Sequence, residues 1–368
     1  MHQDQRGSTG IFGGTEVLPA LLCPDAERSD LGHEPSATMK DDVVKKLRSA
    51  DASPAPMTGN AVSARSRQFD PWSDSVDMAA PRIDPAAKPK EPVATAVLVG
   101  RLQALLREHF EAAFSDHEPA RLQLMLDAVD TAITNIARTD APYHNCEHTL
   151  LVCLVGQQIL SGKQALGDSI SAHDWVHYIV SLLFHDVGYV KSLLPGDLVG
   201  SRVADGLGGW RHLPDGATDA FLTPFHVDRG VAFVRQLFAH TPLIDVEMLA
   251  FNIENTRFPV PEQVRSRSRS RLQWQDLTRA ADLIGQLADP TYLQKLPALY
   301  AEFLECGTAQ SSGLKSHVDL IQQFPHFYSN VVDPLVQVGL EALDAHAVGR
   351  RWGESLQATI AQCEAGEY

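Results

Sequence analysis

From Val93 onward, apolar residues recur at spacings of three and four, as in Val97, Leu102, Leu105, Leu106, Phe110 and Phe114. This is the period of a helix with one buried face. The same rhythm predicts helices near 94–115, 118–138, 145–161, 171–187, 225–239, 243–256, 275–288, 290–305, 315–323, 326–345 and 353–364, joined by Gly, Pro and Asp loops. No stretch alternates apolar and polar residues as a half-buried strand must, so the pattern predicts an all-α fold.

Residues 1–92 read differently. They hold ten of the 22 prolines, with Gly, Ser and Asp between them and no apolar period sustained beyond one turn. Such a composition buries too little apolar surface to offset its ordering entropy, which predicts a disordered low-complexity leader ahead of a helical domain at 93–368. One weak helical segment, Met39 to Arg48, interrupts the leader, and its charges leave little apolar face. Two loops stand out in the domain. Leu194 to Pro224, with six glycines, is long enough to serve as a lid or a mobile connection. Pro259 to Arg271 carries Arg265, Arg267, Arg269 and Arg271 between serines, a solvated loop that can also meet phosphate.

Composition narrows the partners. Lys and Arg number 31 against 46 Asp and Glu, a net charge of −15, which argues against a sequence-independent grip on nucleic acid or an anionic membrane. An anionic ligand then needs a local reason to bind, and a metal ion is the commonest. Cys23, Cys146, Cys153, Cys306 and Cys363 are odd in number, scattered and never spaced C-x-x-C, which predicts reduced thiols in a cytoplasmic protein. No apolar run approaches the roughly 18 residues of a membrane helix.

Fifteen histidines change the picture, because several stand in apolar surroundings. His148 shares a stripe with Leu151, Val155 and Ile159, with His144 one turn earlier. Taken alone, a histidine on such a stripe reads as a packed core residue. The segment WVHYIVSLLFHDVGY ends a strongly apolar helix in His185 and Asp186, where a buried carboxylate needs a compensating cation or donor. A His–Asp hydrogen bond meets that need, and so does a divalent metal. In RAADLIGQLADPTYL, Asp282 is flanked by Ala280, Ala281, Leu283 and Ile284 and should also face the interior. One metal held by His148, His185, Asp186 and Asp282 accounts for the whole set.

The ordered pieces Tyr143-His144-Asn145 with His148, then LLFHDVGY, then AADLIGQLADP resemble the HD superfamily of metal-dependent phosphohydrolases. Within it they look most like the catalytic domain of class I cyclic nucleotide phosphodiesterases, over roughly residues 95 to 305. The resemblance implies a helical bundle that hydrolyses a phosphate ester or phosphodiester on a small, nucleotide-like substrate. It implies His144 as the general acid, His148, His185, Asp186 and Asp282 as metal ligands, and one or two divalent ions (Zn, Mn, Mg or Fe). Asp186 would bridge the two ions, with hydroxide between them as nucleophile. His226, in TPFHVDRGVAFV, sits where the family places a further histidine, near a second metal, its water or the phosphate.

Other positions stay open. Glu254 reads either as a carboxylate that orients a metal-bound water or as an exposed helix end. His177, on the same helix as His185, reads as a satisfied packing residue, as does His173 nearby. After the HD pair the family has Asp and His where this chain has Gly188 and Tyr189. Its purine-gripping glutamine and aromatic clamp have no clear match, although Gln322, Phe324, Phe327 and Tyr328 lie close in sequence. Two further readings accompany phosphohydrolysis: an HD-type di-iron oxygenase, and a nucleotide-binding regulatory module that keeps its metal but turns over little. The sequence leaves the oligomeric state open.

Overall fold

A computed structural model describes residues 92–198, 201–260 and 274–366. The predicted leader up to residue 91, its segment 39–48 and the Arg-Ser run at 265–271 lie outside the described residues. Within them the protein is all-α, and no helix is long and apolar enough to cross a membrane. Cys146, Cys153, Cys306 and Cys363 are not joined by disulfides.

Helix α1 (Pro92–Phe114) turns through a 3₁₀ segment (Ser115–His117) into α2 (Pro119–Ile136), which starts on a proline whose missing N–H costs nothing there. Asn145 caps α3 (Cys146–Ala165), its side chain accepting the Glu147 N–H at 2.9 Å. Ser171 caps α4 (Ala172–Phe184) by accepting the Asp174 N–H. Every residue of α4 from Trp175 to Phe184 is buried, so this helix is covered on all sides and runs through the middle of the domain. It ends at Phe184, earlier than the predicted 187, because the chain tightens into a 3₁₀ turn at Val187–Tyr189. That tightening brings Asp186 round beside His185.

The long loop after α4 is built rather than bare. Strands β1 (Arg202–Ala204) and β2 (Trp210–His212) pair antiparallel, Val203 opposite Arg211, and a 3₁₀ turn follows at Asp219–Leu222. The sequence shows no alternation here because three residues apiece are too few to display one. Val203, Leu213 and Leu222 form a small core of their own. Beneath it, Arg229 on α5 (His226–Leu237) is fully buried. Its guanidinium donates to the carbonyls of Gly188 (2.8 Å), Val190 (2.7 Å) and Ala204, and pairs with Asp197 at 3.0 Å. Asp197 in turn accepts the N–H groups of Leu193, Leu194 and Ala204, so this interior ion pair is fully hydrogen-bonded.

Helices α6 (Val246–Glu254) and α7 (Trp274–Leu287) pack on α4, and α7 lies closest to α3. A Cβ on Gly285 would fall 2.9 Å from Val152 Cα, so glycine is what allows those two backbones to meet. One turn earlier on each helix stand His148 and Asp282.

The chain closes with α8 (Tyr292–Glu305), a short α9 (Thr308–Ser311), α10 (His317–Phe327), α11 (Asp333–Asp344) and α12 (Ala347–Ala365). A π turn at Tyr328–Val332 joins α10 to α11, where sequence spacing suggests a break at 323–326. Helix α12 starts at 347 rather than 353. The His346 ring accepts the Gly349 N–H and caps it, a role usually given to Ser, Thr, Asp or Asn.

Candidate metal centre

Three helices deliver the donors. His148 comes from the first turn of α3, His185 and Asp186 from the end of α4, and Asp282 from the middle of α7. The Nε2 atoms of His148 and His185 are 3.2 Å apart. Asp186 Oδ2 lies 3.2 Å from the first and 3.1 Å from the second. Asp282 Oδ1 lies 3.3 and 3.5 Å from the same two nitrogens. Donor atoms of His148, His185 and Asp186 all fall within 4.8 Å of one another, and these three residues can hold a metal ion.

The chemistry of the set fits a cation. His185 Nδ1 donates to the Leu182 carbonyl at 2.7 Å, which leaves the Nε2 lone pair of the neutral ring pointing inward. Asp186 Oδ2 is buried and has no hydrogen-bond donor. A divalent ion would satisfy the inward lone pairs together. Electrostatics favour positive charge at this point, as a proton on the ring or as an ion that takes its place. Burial opposes charge on His185, yet Asp186 and Asp282 outweigh it and raise the ring well above its ordinary value. Burial likewise opposes charge on both carboxylates, and His185 with His148 holds them below the usual carboxylate range.

His144 stands beside this set, its ring centroid 5.5 Å from that of His148. Its Nδ1 is 2.5 Å from Oε2 of Glu302, a residue of α8 that is 1% exposed. Glu302 also accepts the backbone N–H of Tyr143 at 2.6 Å and of His144 at 3.1 Å. Burial pulls the His144 ring toward neutrality, but the charge and hydrogen bond of Glu302 prevail and raise it to about 9. Sequence reasoning did not single out Glu302, because nothing local in the AEFLEC segment marks it.

On the other side, His226 opens α5 with Nδ1 donating to the Thr223 carbonyl at 2.6 Å. Its Nε2 is 3.7 Å from Asp186 Oδ1, the carboxylate oxygen turned away from the Nε2 pair. Burial lowers this ring to about 4 despite Asp186, so it is neutral where His144 is charged. Between the two lies Tyr189, its ring 4.5 Å from each, 10° from the plane of His144 and 19° from that of His226. Gly188 makes that arrangement possible, since a Cβ there would sit 1.8 Å from the His226 carbonyl oxygen. Side chains of His144, Asp282 and His226 are 16–18% exposed against 1% for His185, so solvent reaches the cluster past these three.

Other sequence candidates go elsewhere. Arg257 grips Glu254 at 2.6 and 3.0 Å, and the carboxylate faces solvent rather than the cluster. His177 donates to the His173 carbonyl and accepts the Asp245 N–H, both at 2.7 Å, as a satisfied packing histidine. Gln322 is exposed and Phe327 packs on Phe258, apart from Phe324, which meets Tyr292 and Tyr328 in the interior, so the four do not form one clamp.

The chain belongs to the Npun_R2479-like family, whose family model matches residues 93–366. No curated protein and no solved structure matches it.

Proposed function

We propose that this member of the Npun_R2479-like family is a metal-dependent phosphohydrolase of the HD type, acting on a phosphate ester or phosphodiester of a small, nucleotide-like molecule. One observation carries the reading: a histidine hydrogen-bonded to a buried carboxylate, His144 on Glu302, stands beside a converging His148, His185, Asp186 and Asp282 donor set.

Two imidazole nitrogens with carboxylate oxygens suit zinc, manganese or iron more than calcium. A divalent ion held there would offset the negative charge of a phosphoryl group and lower the pKa of bound water. The second oxygen of Asp186 faces His226, so those two residues are the natural holders of a second ion. Since Glu302 engages Nδ1 of His144, the proton for the leaving oxygen comes from Nε2 as the phosphorus–oxygen bond breaks. Glu302 fixes that tautomer and stabilises the charged ring beforehand. With a net charge of −15, the protein has no general attraction for anions, which leaves substrate capture to this site.

The test is a screen of the purified full chain with manganese, magnesium, zinc and iron against cyclic nucleotides, nucleoside mono- and triphosphates and chromogenic phosphodiesters. Metal-dependent phosphoester cleavage is expected. It should vanish together with bound metal in His185→Ala and Asp186→Ala, and vanish without loss of metal in His144→Ala. Turnover by metal-stripped protein would overturn the reading. The extra imidazole of His226 also favours a di-iron oxygenase, which oxygen uptake by iron-loaded protein would reveal.

A further inference from the structure

We propose that Tyr189 is a positioning residue, a rigid spacer that sets the orientation of His144 and His226 on either side of the donor cluster. The claim about rate rests on the phosphohydrolase reading; the claim about geometry does not.

An imidazole hydrogen-bonded at one edge still tilts about that bond. His144 is held at Nδ1 by Glu302 and His226 at Nδ1 by the Thr223 carbonyl, so each has one edge fixed. Tyr189 supplies the second constraint to both at once, presenting one face to each ring at 4.5 Å and nearly parallel. An aromatic face enforces such coplanarity where an aliphatic side chain does not. Edge bond and face contact together determine where each Nε2 points.

A spacer must itself be immobile, and the backbone around Tyr189 is. Its N–H donates to the Asp186 carbonyl at 3.1 Å. The carbonyls just before and at the residue after it, Gly188 and Val190, both accept from the buried Arg229 guanidinium at 2.8 and 2.7 Å. Arg229 is anchored in turn by Asp197, which gathers the start of the hairpin insertion. The ring is 1% exposed, so it packs in the interior and does not swing into solvent. The insertion between α4 and α5 therefore acts as the back wall of the stack.

The experiment compares Tyr189→Leu and Tyr189→Phe in the full chain, with histidine and tyrosine side chains isotope-labelled for NMR. In the wild type, cross-relaxation should connect the Tyr189 ring with both imidazoles; its absence on either side overturns the proposal without any variant. Ring-current shifts of the His144 and His226 protons should be lost in Tyr189→Leu and kept in Tyr189→Phe. Bound metal should stay constant, and kcat should fall about 10- to 100-fold in Tyr189→Leu with a smaller change in KM, since displacement of about 1 Å costs up to about a hundredfold. Tyr189→Phe should restore most of that rate. Unchanged imidazole signals in Tyr189→Leu, or equal loss of rate in Tyr189→Phe, overturns the assignment. If the wild type cleaves no phosphoester, the functional reading fails alone, and the ring-current comparison decides the spacer.

Discussion

Oε2 of Glu302 lies 2.5 Å from Nδ1 of His144 across 158 residues of chain, while Oε1 takes the backbone N–H groups of Tyr143 and His144. One carboxylate thus fixes the backbone that leads into α3, the tautomer of the ring and its charge.

Glu302→Gln should lower the His144 titration from about 9, because burial is then opposed only by the weaker pull of Asp186 and Asp282. The ring is charged below its folded value, so the pair stabilises the protein fully below about 6.5, the ordinary histidine value. That contribution disappears as pH rises through about 9. If the charged ring is the acid, turnover follows the same sense: the alkaline limb of the pH–rate profile moves to lower pH in Glu302→Gln. NMR titration of His144 and the pH dependence of kcat/KM check both halves.

His185→Ala and Asp186→Ala should each abolish stoichiometric metal, measured by elemental analysis. A ligand that binds only the folded state stabilises by about 2.7 kcal/mol at a hundred times its Kd. Adding metal should therefore raise the Tm of the wild type, chelator should reverse the rise, and neither should affect the two variants.

Gly188→Ala places a methyl 1.8 Å from the His226 carbonyl oxygen, an atom of backbone that cannot rotate aside. Overpacking of this kind costs about 1–3 kcal/mol, readable from urea unfolding. Gly100→Ala is the matched control. A Cβ there meets nothing within 4 Å, and replacing a helical glycine should stabilise by about 0.5–1 kcal/mol.

Asp197→Asn or Arg229→Met leaves one member of a wholly interior ion pair uncompensated. Loss of about 3–5 kcal/mol is expected from equilibrium unfolding, far more than for the exposed Arg235–Glu247 pair, where about 0–1 kcal/mol is typical.

Much of this molecule is written locally. Apolar spacing marks the helices, because a helix buries whichever face its period lines up, and that is settled within a few turns of chain. The inward direction of His148, His185, Asp186 and Asp282 is legible for the same reason: each is embedded in apolar neighbours whose burial carries it along.

Pairings between helices are another matter. Glu302 sits in a helix whose pattern gives it no special place, and its partner lies on a different element. Tyr189, conspicuous in the sequence only as a departure from the family it resembles, fills the slot between two imidazoles. Glu254, acidic and near the right segment, is taken by Arg257 instead. Periodicity records which face of a helix is buried and is indifferent to what that face meets. The meeting is decided by how closely backbones approach, at Gly285 against Val152 and at Gly188 against His226, and so only the packed tertiary structure could supply it.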